Sequence, residues 1–350
     1  MDDVKLRQKN IIALFRSPTF LLRWIGILLS IAFLLWILHS FDLTGVANAL
    51  QSANYLFLLP AAMVLVLDYI FRSYRWGILF DDRRKVGRSS LFIAYMIGFL
   101  ANNILPARSG DLVRAYILGQ REEISKTTTF ATILVERVAD LLVTLFLIPV
   151  TLIFFPVSEW LTTTAIVIAV VGFTGSAILF LIGRRGRDFV NRIPVHFLSL
   201  PIGFRKLFKK LADNFIIGVS GMHTKRKYLA FICYTAMIWI LEVCLVWLMA
   251  KLFSLPLTFG GALFVLLSIA LGMAIPASPG SLGTYEFFAT NALILLGVSG
   301  GNTLGFALLM HVTTYLGGSF IGVICMIWNS HKLGFPEVAE DKVDIESPPP

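Results

Sequence analysis

The chain has 350 residues, 57% of them hydrophobic and only 15% charged, with a formal charge of +9 and a mean hydropathy of +0.80. Soluble domains carry roughly 25% charged residues, so a water-soluble enzyme is excluded as the whole of this chain. The basic excess lies in stretches between apolar runs, which speaks against nucleic acid and for topology signals beside anionic headgroups.

In chain order, residues 1–23 hold five Lys and Arg and precede an apolar run at 24–38. This run reads as a retained first span, because many more apolar runs follow it. A second span is expected over 53–71. The stretches 72–88, 106–127 and 184–227 carry six, four and eleven Lys and Arg, whereas 39–52, 156–160 and 299–302 carry none. The positive-inside tendency places the basic stretches in the cytoplasm.

That placement puts both flanks of the run 89–105 on one side. The expectation is a re-entrant hairpin broken at Asn102-Asn103-Ile104-Leu105-Pro106, with a return arm from Gly110. Proline lacks the backbone donor, and paired Asn side chains can bond the freed backbone groups. Spans follow over 128–155, 161–183 and 228–250, with 184–227 as a basic cytoplasmic or interfacial segment between the last two. A second hairpin, entering from the opposite face, spans 259–297 around Pro276, Pro279, Gly280 and Gly283. The last span is 303–328, and residues 329–350 form a disordered tail. The fold class is therefore all-α: a polytopic cell-membrane protein of about six full transmembrane helices and two broken hairpins, with both termini cytoplasmic. Residues 53–155 and 228–328 then form an inverted repeat, as in many secondary transporters. The alternative is a plain bundle of eight or nine spans with irregular loops.

Ionisable residues inside apolar spans mark functional sites. Arg108 and Arg114 flank the first break, with Asp111 in the first turn of the return arm. A cation beside a helix N-terminus suits a phosphate. Glu136 and Asp140 share one helix face with Arg137 adjacent, forming either a salt-bridge network with the arginines or the wall of a headgroup cavity. In the second half, Ser278, Ser281, Tyr285 and Glu286 surround the hairpin turn. Glu242 lies mid-span, as a proton or cation site or a hydrogen-bonded carboxyl, and Asp68 can pair with Arg72 at i+4. The three cysteines and five histidines show no metal or disulfide spacing, and no metal, cofactor or nucleotide motif is expected.

The stretch Asn102–Arg114 resembles the first signature of the lysylphosphatidylglycerol synthase transmembrane region, a family of flippase-like membrane proteins. Val135–Leu141 resembles its second signature and Pro276–Glu286 its third, so that the likeness covers roughly residues 20–330. Position Asp111 more often carries Glu in the family, which keeps the carboxylate. The resemblance implies translocation of phosphate-containing lipids, such as an aminoacylated phosphatidylglycerol, or of polyprenyl-phosphate-linked sugars. In two-domain relatives a cytosolic aminoacyltransferase follows; a stand-alone form is expected here. The expected partners are anionic membrane lipids and enzymes of lipid or glycan biosynthesis, without nucleic acid. Two rivals stay open: an intramembrane transferase acting on a lipid phosphate, and a non-catalytic scaffold for such enzymes.

Overall fold

A computed structural model describes residues 43–80, 86–105, 109–154, 213–219, 221–274, 279–298 and 300–329, together with scattered positions in 31–39 and 167–175. The expected spans at 24–40 and 161–183 lie largely outside the described residues, as do the two tails and most of 184–227. Among the described residues the chain is helical, without a strand. The principal helices are α1 (Leu43–Ser52), α2 (Leu58–Ile78), α3 (Arg88–Ile104), α4 (Gly110–Arg121), α5 (Lys126–Phe154), α6 (Lys225–Leu252), α7 (Phe259–Ala274), α8 (Thr284–Leu295) and α9 (Gly301–Trp328). Three are long and apolar enough to cross a membrane: α2 with its leading turn (Tyr55–Ile78), α6 and α9. Helix α5 is as long, but it carries Glu136, Arg137 and Asp140. This is a polytopic membrane protein.

The breaks have local causes. Helix α3 stops at Ile104, and Leu105 is extended (φ −85°, ψ 144°). Steric pressure from Pro106 on the residue before it favours that conformation. Helix α4 begins at Gly110, whose N–H donates to Asn102 Oδ1 at 2.8 Å. The two arms pack antiparallel and so closely that a Cβ at Gly110 would stand 2.1 Å from Gly98 O. In the second hairpin, Gly280 (φ +73°), Ser281 (φ +56°) and Gly283 (φ +82°) turn the chain through left-handed conformations. Glu286 then caps α8 by accepting from Gly283 N–H at 2.7 Å, the acidic half of a capping box. Ser268 Oγ donates to Phe288 O at 3.1 Å, which fixes α7 against α8.

Helices α2 and α6 form the central antiparallel pair. Asn54 N–H donates to Leu252 O at one end, and Lys227 Nζ donates to Phe80 O at the other, 2.8 Å away. Around this pair the packing partners repeat under exchange of the halves. Helix α3 packs on α4 and α7 on α8; α4 packs on α5 and α8 on α9; α2 packs on α3 and α6 on α7. The hairpins also cross over, because α3 packs on α9 while α7 packs on α5. Even the flanking pieces correspond: Gly301 of α9 lies against Gly45 of α1, and Gly218 of the helical stretch 213–219 lies against Ala131 of α5. Small residues permit such backbone approach where lipid offers no hydrophobic drive to association. With α2 and α6 antiparallel, this exchange pattern is that of two like-built units running in opposite directions.

Candidate functional site

Helix α2 continues past the apolar run 53–71 for two more turns, and this extension carries Arg72 and Arg75 into the bundle. Arg75 is 2% exposed and binds Asp140 of α5 through both nitrogens, Nη1 to Oδ1 at 2.5 Å and Nη2 to Oδ2 at 3.0 Å. Its Nε lies 3.6 Å from Glu136. Arg72 donates to Asp68 at 2.8 Å and pairs with Glu242 of α6. It also stands 3.8 Å from Asp140. Glu136, 4% exposed, receives Arg114 of the first hairpin at 2.7 Å. That contact is an ion pair by distance, yet no N–H of Arg114 is aligned on either Glu136 oxygen. The Arg114 guanidinium is instead layered between Trp76 (3.6 Å) and Tyr95 (4.6 Å), two cation–π faces that hold it in place. Trp76 is fixed in turn by donating to Thr132 Oγ1 at 2.8 Å.

The network grades outward. Arg137 binds Asp111 through two of its three nitrogens, Nε to Oδ2 at 3.0 Å and Nη2 to Oδ1 at 2.7 Å, and its side chain is 53% exposed. Asp111 also takes a weak contact from Asn102 Nδ2 at 3.5 Å. Four arginines and five carboxylates, drawn from α2, α4, α5 and α6, thus form a charge chain inside an apolar bundle: ion pairs link seven of them, and among the described residues no ion pair joins the Arg137–Asp111 pair to these. Removing one partner of a buried pair costs about 3–5 kcal/mol, because the other charge is left stranded. The buried ion pairs are therefore the costly ones to break, and Arg137–Asp111 is the most exposed.

A second cluster joins the other hairpin to α9. Glu286 and His311 Nδ1 meet at 2.5 Å, both side chains buried. Tyr285 stacks on the imidazole at 4.2 Å, and Tyr315 meets it edge-on at 5.7 Å. Tyr315 also binds the first hairpin: its hydroxyl donates to Asn103 O at 2.8 Å, while Asn103 Nδ2 donates to Ser319 Oγ at 2.9 Å. A Cβ on Gly280 would meet the Tyr315 ring at 2.8 Å. The two hairpin tips therefore converge on one tyrosine of α9.

Of the residues expected from sequence, Arg114, Asp111, Glu136, Arg137 and Asp140 come together. Arg108, Pro106, Pro276 and Ser278 lie outside the described residues, and of Pro279 only the backbone is described. Ser281 is buried in the second turn. Glu242, grouped from sequence with the second hairpin, sits on Arg72 in the charge chain. Asp68 pairs with Arg72 at i+4, as its spacing suggests. Arg75, Trp76 and His311 escaped the sequence reading. The two α2 residues were counted with the basic loop, and a lone histidine in an apolar run carries no local signal. Among the described residues no three His, Cys, Asp or Glu side chains are grouped to hold a metal ion.

Residues 23–322 match the family described as the lysylphosphatidylglycerol synthase TM region. A UPF0104 membrane protein of Methanothermobacter thermautotrophicus is 28% identical over 259 residues, covering 69% of this chain and 76% of that protein. The glycosyltransferase AglD of Haloferax volcanii is 26% identical over 332 residues, 84% of this chain but only 53% of that longer protein. A UPF0104 membrane protein of Methanocaldococcus jannaschii is 30% identical over 126 residues, covering 34% of this chain and 37% of that protein. No solved structure matches the chain. The family description and the glycosyltransferase relative both point to the biology of membrane lipids and glycans.

Proposed function

The chain belongs to the lysylphosphatidylglycerol synthase transmembrane-region family, and from that premise we propose that it carries a phosphate-bearing lipid, or a lipid-linked glycan precursor, across the bilayer. The observation that carries this reading is Arg137, a half-exposed cation on a helix of an apolar bundle, whose one ion-pair partner among the described residues is Asp111 of the first hairpin. A headgroup phosphate competes with the Asp111 carboxylate for the same two nitrogens, since guanidinium binds either acceptor bidentately. Asp111 does not lose all support on release, because it lies in the first turn of α4, where the helix dipole favours a carboxylate. Arg114 and Glu136 form the fixed floor behind it, and Arg108 remains the sequence-level candidate for a second phosphate contact. The antiparallel halves and converging hairpin tips suit alternating access around such a site.

The experiment follows labelled phosphatidylglycerol between leaflets of proteoliposomes. Arg137→Ala is expected to lower the exchange rate by about tenfold or more, the loss of one charge-assisted contact of about 1.5–3 kcal/mol. Equal rates for the variant and the wild type would sink the assignment. A second reading, an intramembrane transferase, has the glycosyltransferase relative in its favour. A covalently altered lipid detected by mass spectrometry after incubation would favour it over translocation.

A further inference from the structure

We propose that Glu286 and His311 form a proton-binding site that moves one proton with each anionic headgroup, so that a pH gradient drives transport; this rests on the translocation reading above. The pair is buried where the second hairpin meets α9, and Nδ1 and the carboxylate are close enough to share a single proton. Among the described residues nothing hydrogen-bonds the other ring nitrogen, Nε2. Glu286 Oε2 is committed to Gly283 N–H, so Oε1 and the imidazole are the groups left to exchange protons. Imidazole is the side chain whose charge ordinarily changes between pH 5 and 8.

Electrostatics give the site its task. The adjoining charge chain has five carboxylates and four arginines, and Glu286 adds a further carboxylate. Within this group of carboxylates and arginines an incoming phosphate therefore meets no surplus of cations, and a proton on His311 offsets its charge. The titratable groups facing the pair are few. Tyr285 and Tyr315 come from α8 and α9. Tyr69 of α2, beside the paired Asp68 and Arg72, donates to Thr314 O at 3.2 Å. Glu242 of α6 acts on Tyr285. Helix α3 brings Asn103 to this corner, while its Tyr95 faces Arg114 and its Arg88 faces Tyr74. Helices α1 and α7 contain no titratable residue, and His39 is exposed.

The mechanical link is Tyr315, one turn beyond His311, which bonds Asn103 and lies against Gly280. A change of charge on His311 thus acts where both hairpin tips meet. The proton enters with the headgroup from the acidic side and leaves with it on the other, and the moving pair carries no net charge. At zero membrane potential each pH unit then builds about a tenfold lipid asymmetry toward the alkaline leaflet.

The test uses the full chain in phosphatidylcholine vesicles with labelled phosphatidylglycerol, the membrane potential clamped at zero. Wild type is expected to exchange lipid at equal pH and to build asymmetry under a gradient. In whatever lipid it still moves, His311→Gln is expected to build no asymmetry under the gradient. Exchange without any gradient response in the wild type, or a full response in His311→Gln, overturns the coupling and leaves translocation standing. If no lipid moves at all, the translocation reading falls, and the site is judged by acid titration in detergent. There the wild type should take up more protons on acidification than His311→Gln; equal uptake overturns the proton site. Should His311→Gln not fold, Glu286→Gln carries the same comparisons, since its amide oxygen can still accept from Gly283 N–H.

Discussion

Replacing Gly110 with alanine strikes the tightest contact in the first hairpin. The new Cβ would stand 2.1 Å from Gly98 O, 2.5 Å from Asn102 N and 2.6 Å from Asn102 Cγ. Two of these atoms are backbone, so no side-chain rotation relieves the clash and the arms must part. Overpacking of this kind costs about 1–3 kcal/mol. Parting also weakens the Gly110 N–H bond to Asn102 Oδ1, a further loss of about 0.5–1.5 kcal/mol. The helix-propensity gain of Ala over Gly, at most about 1 kcal/mol, offsets part of this, and a net destabilisation of about 2–3 kcal/mol is expected. The assay is denaturant-driven unfolding in detergent micelles, with Gly260→Ala as the control. At Gly260 an added Cβ meets only Thr258 Oγ1, at 3.9 Å, so that variant should be neutral or slightly more stable. Equal stability of Gly110→Ala and Gly260→Ala would refute the close packing of the arms and the hairpin geometry built on it.

Three further outcomes are expected. Arg75→Leu and Asp140→Leu should each lower stability by about 3–5 kcal/mol, while the double variant should cost clearly less than their sum; additive losses in a denaturation cycle would contradict the pairing. Asp111→Asn should release Arg137 and tighten binding of phosphatidylglycerol by several-fold, read by native mass spectrometry; unchanged or weaker binding would contradict competition for Arg137. Tyr315→Phe removes the bond to Asn103 O, about 0.5–1.5 kcal/mol, and should loosen the first tip. Faster hydrogen exchange around residues 101–105, with little change around 284–295, is the expected pattern.

Much of this was legible in the chain itself, for reasons that particular residues make plain. The break after Ile104 shows because Asn102, Asn103 and Pro106 are poor members of a continuous apolar helix, and Glu136 with Asp140 shows because i+4 spacing holds in any helix. Helix α6 (Lys225–Leu252) overruns the expected span 228–250 by only a few residues at its ends. Arg75 was hidden by its own sequence context. It belongs to a basic stretch that reads as loop, and only the continuation of α2 to Ile78 takes it inside. The partner of Glu242 was not legible, because antiparallel pairing of α2 with α6, a contact 170 residues apart, decides that it meets Arg72. His311 finds Glu286 only when α8 folds back on α9. Local pattern reveals where a helix breaks or carries charge; which charges meet depends on tertiary packing.

The crossed arrangement of the hairpins bears on the order in which the protein can be made. Helix α3 emerges early from the ribosome, yet the surface that covers its Met96 and Leu100 includes Gly322 of α9. Helix α5 likewise waits for α7. The first half therefore enters the membrane with unfinished faces, including that of Arg72, whose partner Glu242 has not yet been synthesised. Lipid, water or an insertion partner must cover these faces until the later helices arrive. Assembly is then a closing step that engages the whole chain at once, rather than the docking of two finished halves.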